Sequence, residues 1–541
     1  MNPTSCRFAA LVAVAAVSPL PLFAQGHDHG PAEQLGRVSF PVSCNAEAQR
    51  RFERAMALLH SFWWEAGDKA FREVAEADGA CAMAYWGLAI NAWGNPFAGG
   101  QSGQALAAAG QAAERAAALG GKTPRERGFI AAVATLYRDH ATVPNAVRLR
   151  AYSDTMARVY HDTPGDVEVA IYYALSVVAT AAATDTTFIR QKAAAAILNP
   201  LFQRFPQHPG LAHYIIHAND SPRLASLGLD AARRYARIAP SAPHAQHMPS
   251  HIFIRLGLWE DNIASNQRSF DAGAAHAKAQ GWNGVAAHEF HALDYMVYGY
   301  LQLGKDAAAR GLVARAESLS AVEGRANLIA GYNGSALAAR VALERGDWRA
   351  AAALPIPAGN SPVALGAVSR FTRGIGAARS GDTAQARAEV AALADIEASL
   401  ASQTGYNWSR IVGIKRRAVT AWLALATGDT ASALRLAAEA ADLEDVTEKH
   451  PVTPGELLPA RELQGDLLMA TGRHAEARAA YEATLRREPG RARSMFGAGR
   501  AAELAGDQAG ARVRYRAFLD LMTSADGDRP ELAQARRFLA S

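Results

Sequence analysis

The residue type that stands out chemically is histidine, whose neutral ring ligates transition metals and whose charge changes near neutral pH. Nine of the sixteen histidines fall within residues 208–291 of a 541-residue chain, where an even spread would place two or three. His213 and His217 are four apart, and so are His247 and His251, which repeat the first pair 34 residues later. Residues four apart share a helix face. Helices packed about 8–10 Å apart can bring such imidazoles to one ion through bonds of about 2.0–2.1 Å. The predicted ligands are therefore His213, His217, His247 and His251, completed by His291 or Asp294. With His244 and His288 there are donors enough for two ions. Imidazole and carboxylate donors without thiolate suit Zn, Cu or Fe. Asp220, Glu289 and Asp294 are candidates to orient ligand rings. His208, before a proline, and His276, alone in a helical stretch, are left outside the set. A metal-free polar ligand site and a purely structural role stay open beside the metal.

Other motifs carry less chemistry. His288-Glu289-Phe290-His291 puts its second histidine one residue too early for the zincin arrangement. Glu289 is the only general base it suggests. Gly331-Tyr332-Asn333-Gly334-Ser335 and Gly405-Tyr406-Asn407-Trp408-Ser409 are related, and could extend a polar lining toward a substrate. Gly120-Gly121-Lys122-Thr123 lacks the first glycine of a phosphate loop and follows a helical stretch, so it is rejected. Cleavage after Ala24 would leave Gln25-Gly26-His27 at a new N-terminus, a square-planar copper or nickel chelator.

These residues must be positioned by helices. Alanine, the best helix former, dominates many stretches, and strand-like alternation is scarce, so the fold class expected is all-α. Net charge is +5, with arginine scattered among acids rather than gathered in a stripe, which excludes a nucleic-acid footprint. Arg7 precedes an apolar run to Phe23, followed by a polar stretch, the layout of a secretory signal peptide over residues 1–24. A flexible leader is expected over 25–38. No later apolar run is long enough to insert in a membrane. The expected location is periplasmic or secreted. There Cys44 and Cys81, the cysteines beyond the signal peptide, are a plausible disulfide, with two free thiols as the alternative.

The helical stretches are punctuated periodically. Gly257, Gly304, Gly346, Gly381, Gly428, Gly472 and Gly506 each follow an apolar stretch, and Asp follows directly at Asp347, Asp382, Asp429 and Asp507. Glycine closing one helix and aspartate capping the next spells a helix–turn–helix repeat. Gly472, Ala477, Tyr481 and Leu485 recur as Gly506, Ala511, Tyr515 and Leu519, each shifted by 34. This pattern resembles the tetratricopeptide repeat (TPR) family, here of a secreted bacterial type with a His-rich groove. The resemblance is sharp over Leu458–Leu521 and looser over Arg51–Ala437. It implies a TPR-like α-solenoid, a right-handed superhelix with a concave groove. Residues 39–450 would form a divergent array and 451–541 the C-terminal repeats, with Glu448–Pro459 joining them.

The resemblance also implies that the second, fifth and ninth residues of each repeat's first helix face the groove. Counted back from Pro240, the fifth and ninth are His213 and His217. From Gly257 the three are His244, His247 and His251; from Gly304, His291, Asp294 and Tyr298; from Gly346 the second is Asn333. Tyr298, Asn333 and Tyr332 are thus the expected substrate contacts. The leading expectation is an exported metalloprotein with a His-rich centre in its groove, a metal-dependent hydrolase or oxidase acting on a small molecule or peptide. A periplasmic TPR scaffold that binds a peptide or protein partner without catalysis is the alternative. Metal storage is a third reading.

Overall fold

The computed structural model describes Met1 and residues 33–97, 103–182, 184–322, 327–356, 363–403 and 406–541. It divides into two units, Met1–Glu33 and Gln34–Ser541. The expected signal peptide, Cys6 and the Gln25-Gly26-His27 chelator lie outside the described residues. Everything below concerns the second unit. Among its described residues there is no strand, only an isolated bridge between Val285 and Ala321.

Successive helices pack against one another from Ala46–His60 to Pro530–Ala540. The turn glycines do what the repeat pattern requires. Gly257, Gly304, Gly346, Gly381, Gly428, Gly472 and Gly506 all have positive φ, a region closed to most side chains. Asp347, Asp382, Asp429 and Asp507 each accept a backbone N–H three residues on, capping the next helix. Thr123 of the rejected phosphate motif is also an N-cap, paired with Glu126 in a capping box. The architecture is an all-α, TPR-like α-solenoid.

Two features depart from the expected layout. The predicted leader reaches residue 38, yet Leu35 is buried and the Arg37 N–H donates to Gln207 O at 2.9 Å. The packed array thus begins at about Gln34. More consequentially, the C-terminal repeats fold back onto the middle of the solenoid. Gly257 has φ 69°, and a Cβ there would stand 2.3 Å from Pro489 O. The Trp259 indole donates to Gly490 O at 3.0 Å. Arg491, fully buried, pairs with Glu344 at 2.7 Å and Glu462 at 2.8 Å, and donates to the Tyr298 hydroxyl at 3.1 Å. Arg529 pairs with Asp306. A buried charge is tolerable only when so satisfied. Residues expected to line an open groove are therefore covered at this level.

Candidate metal centre

Four short elements carry the histidines. Pro209–Asn219 starts at a proline whose missing N–H costs nothing at the first helical position, with His208 as its N-cap. It presents His213 and His217. Pro243–His247 and Pro249–Leu256 follow, and Pro249, unable to donate, separates them. They present His244, His247 and His251. Ala287–Gln302 adds His291.

The histidines sort into two groups of three. His213, His217 and His244 form the first, and His247, His251 and His291 the second; within each, the ligating atoms lie within 4.8 Å of one another. This corrects the predicted set in which His213, His217, His247 and His251 share one ion. Each i, i+4 pair instead recruits its third ring from a later helix, His244 from Pro243–His247 and His291 from Ala287–Gln302. His217 Nε2 is 3.0 Å and His244 Nε2 3.2 Å from His213 Nε2. His247 and His251 Nε2 are 3.0 Å apart. Two nitrogens about 2.05 Å from a tetrahedral ion stand about 3.3 Å apart, so the spacing fits metal donors. The groups adjoin: ring centroids of His244 and His247 are 6.0 Å apart, and those of His217 and His251 6.4 Å.

Hydrogen-bond partners fix three tautomers. His213 Nδ1 lies 2.6 Å from His60 O, a pure acceptor, so its proton sits on Nδ1. His251 Nδ1 lies 2.8 Å from Asp220 Oδ2. His247 Nδ1 lies 2.6 Å from Asn266 Oδ1, whose amide nitrogen is committed to Asn262 O at 2.9 Å. All three Nε2 atoms are therefore bare lone pairs, turned inward. A ligating imidazole that donates its other N–H to a carbonyl or carboxylate is the usual arrangement at metals. His291 Nδ1 is buried without a hydrogen-bond partner among the described residues.

Electrostatics keep the rings neutral. Burial, reinforced by neighbouring imidazoles, holds His213, His217, His244, His247 and His291 well below the usual histidine range. Burial also lowers His251, although Asp220 opposes it. Burial would raise Asp220, but Arg255, Lys449 and His251 outweigh it and hold the carboxylate well below its ordinary range. Aromatic rings wall the first group. The Phe62 centroid is 4.4 Å from His213 and 5.5 Å from His244, and Phe97 is 4.3 Å from His217. His217, His244 and His291 keep partly exposed edges.

The remaining predicted residues lie elsewhere. Asp294, expected as a ligand, is fully buried and pairs with Arg340 at 2.6 Å, while Asn333 donates to its other oxygen at 2.9 Å. Asn333 also donates to Val452 O. Tyr298 donates to Glu488 at 3.0 Å, and Tyr332 is buried in the adjoining core. All four are packed interior residues, because the 450–459 segment and the C-terminal repeats cover them. His288 stands outside both groups, 3.4 Å from Glu289; burial lowers it to about 4. Glu289 is fully buried and packed on Gly273, where a Cβ would meet its carboxylate at 1.9 Å. The Cys44 and Cys81 sulfurs are bonded.

A third cluster, His60, Glu168 and His208, escaped sequence reasoning, since its members are 108 and 40 residues apart. Glu168 bridges His60 Nε2 at 3.0 Å and His208 Nε2 at 2.9 Å, and the two rings hold its carboxyl below the ordinary range against the effect of burial. His208 Nδ1 accepts the Leu211 N–H, so its proton lies on Nε2 and points at Glu168. This cluster satisfies itself, and it positions His60, whose carbonyl orients His213. Phe62, Phe97 and Asn266 were also missed. The sequence separations carry no local signal for any of them.

No family model matches the chain, and no curated protein matches it. Among solved structures, human IFIT1 as a dimer with m7Gppp-AAAA is similar at 12% identity and TM-score 0.38, covering 78% of this chain and 87% of that one. The same protein with PPP-AAAA gives 11% identity and TM-score 0.37 over the same shares.

Proposed function

We propose that this protein is an exported metalloprotein whose six histidines hold two transition-metal ions side by side, each on three imidazoles. One observation carries the reading: Nε2 atoms converge at 3.0–3.2 Å in both groups, and in the second the facing atoms of His247 and His251 are both bare lone pairs. The two bare nitrogens of His247 and His251 repel unless a cation lies between them, and burial disfavours a proton on either ring. Backing by His60 O, Asn266 and Asp220 fixes His213, His247 and His251 for ligation. The partly exposed edges of His217, His244 and His291 leave a side on which a small molecule can approach. Export is supported by the N-terminal sequence and by a disulfide of the kind that persists in oxidising compartments. The adaptor reading is weaker, because the C-terminal repeats occupy the inner surface that a peptide would need.

Metal analysis of purified, reconstituted protein tests this. Two ions per chain are expected. His213→Ala with His217→Ala should remove one, and His247→Ala with His251→Ala the other. Less than one ion per chain in the wild type refutes the centre.

A further inference from the structure

Both donor sets are wholly neutral. The six ligands are imidazoles, and no carboxylate among the described residues belongs to either group. Asp294 is taken by Arg340. Asp220 reaches the second group only through the far nitrogen of His251, and its other oxygen is held by Arg255 at 2.8 Å. Two dications would place four positive charges in a site walled by Phe62, Phe97 and Tyr295, with Arg255 close behind. Charge in such surroundings is costly unless compensated. Two monovalent ions would halve it. Among metals suited to imidazole, copper has an accessible monovalent state.

Resting on the dinuclear reading above, we infer that the pair of three-histidine sites holds two copper ions that bind one dioxygen molecule between them. Each Cu(I) gives one electron. Dioxygen accepts the two, its O–O bond order falls from two to one, and peroxide forms bonds to both resulting Cu(II) ions. Total charge is +2 before and after, so no proton and no anionic protein ligand is required. A neutral donor set suits that step, whereas a hydrolytic zinc pair gains most from anionic bridging ligands. The adjacency of the two groups, with rings of His244 and His247 6.0 Å apart, allows one diatomic to span both ions. The Tyr295 hydroxyl, 3.4 Å from His251 Nε2, stands where it can contact a molecule bound there.

The full chain, loaded anaerobically with Cu(I), tests this on exposure to dioxygen in an oxygen-electrode cell. Two copper per chain, uptake of one dioxygen per two copper, and a near-ultraviolet charge-transfer band that disappears on degassing are expected. The oxygenated form should give no copper paramagnetic resonance, because the two Cu(II) spins couple. His291→Ala should retain about one copper, lose dioxygen uptake and show an isolated Cu(II) signal after oxidation. His217→Gln, at the edge of the other group, should do the same and serves if His291→Ala fails to fold. Two bound copper ions with no uptake, or with a full uncoupled signal, overturn the dioxygen inference and leave the dinuclear centre standing. Failure to bind stoichiometric copper while two zinc ions bind also overturns it alone. Less than one ion of any metal overturns both.

Discussion

Asp220 holds His251 Nδ1 at 2.8 Å with one carboxylate oxygen and Arg255 at 2.8 Å with the other. The carboxylate thus fixes the tautomer and the angle of a ring at the junction between the two groups, and Arg255 keeps it ionised. Asp220→Asn preserves the shape but weakens the acceptor and offers the wrong atom in one orientation. We expect metal affinity at the second group to fall about 10–100-fold, with the first group unchanged. Metal titration of the variant, read against His217→Gln, checks this; equal loss at both groups would contradict it.

The ion-free protein should be sensitive to mild acid. The metal-site rings have folded-state values depressed below the ordinary 6.5, as does His450, lowered by burial to about 3. Above pH 6.5 these rings are neutral whether the chain is folded or not. Below it the unfolded chain takes up protons that the folded chain refuses, so stability falls as pH drops toward each folded value. Each such ring contributes about 1.4 kcal/mol per pH unit. Denaturant melts of apoprotein between pH 7.5 and 5 should show a slope of more than one proton. His450 accepts the Val452 N–H on Nδ1 at 3.0 Å, a bond that Asn can replace, so His450→Asn should lower the slope by about one proton.

Asp294 and Arg340 pair at 2.6 Å with both side chains fully buried. Removing one partner strands the other. Asp294→Ala should cost about 3–5 kcal/mol, with metal stoichiometry intact wherever the chain remains folded. Chemical denaturation with metal counting separates this structural role from ligation. A lost ion with unchanged stability would restore Asp294 as a ligand.

The Cys44–Cys81 bond closes a segment of 37 residues between the first helix and the third. Its reduction, or Cys44→Ser with Cys81→Ser, should cost about 4 kcal/mol through entropy returned to the unfolded chain. Melting with and without reductant checks the magnitude. Because the bridge lies outside the metal-site helices, copper or zinc stoichiometry in the folded state should not change.

Much of the frame was legible because repeat chemistry is local. Gly257 and Gly304 end helices by adopting positive φ, and Asp347 and Asp507 cap them, wherever the rest of the chain goes. The i, i+4 spacing of His213 with His217 likewise puts that pair on one helix face, whereas His247 and His251 lie on either side of the break at Pro249. Asp220, one residue past the end of the first histidine helix, was named as a candidate to orient a ring, but that its partner is His251, 31 residues on, is a tertiary contact.

Sequence alone therefore determined the all-α repeat architecture and the pairing of histidines four residues apart, since both depend on residues within a turn or two. Only the tertiary structure decided how the pairs were completed. His244 joins His213 and His217, although it shares a helix with His247, because the packing of separate helices sets its Nε2 3.2 Å from that of His213. It also decided that Asp294, Tyr298, Tyr332 and Asn333 are interior residues, because the C-terminal repeats fold back through Arg491 and Trp259 onto helices more than 180 residues earlier. Contacts of that separation depend on how the superhelix closes, a sum of small rotations over many repeats that no single repeat encodes.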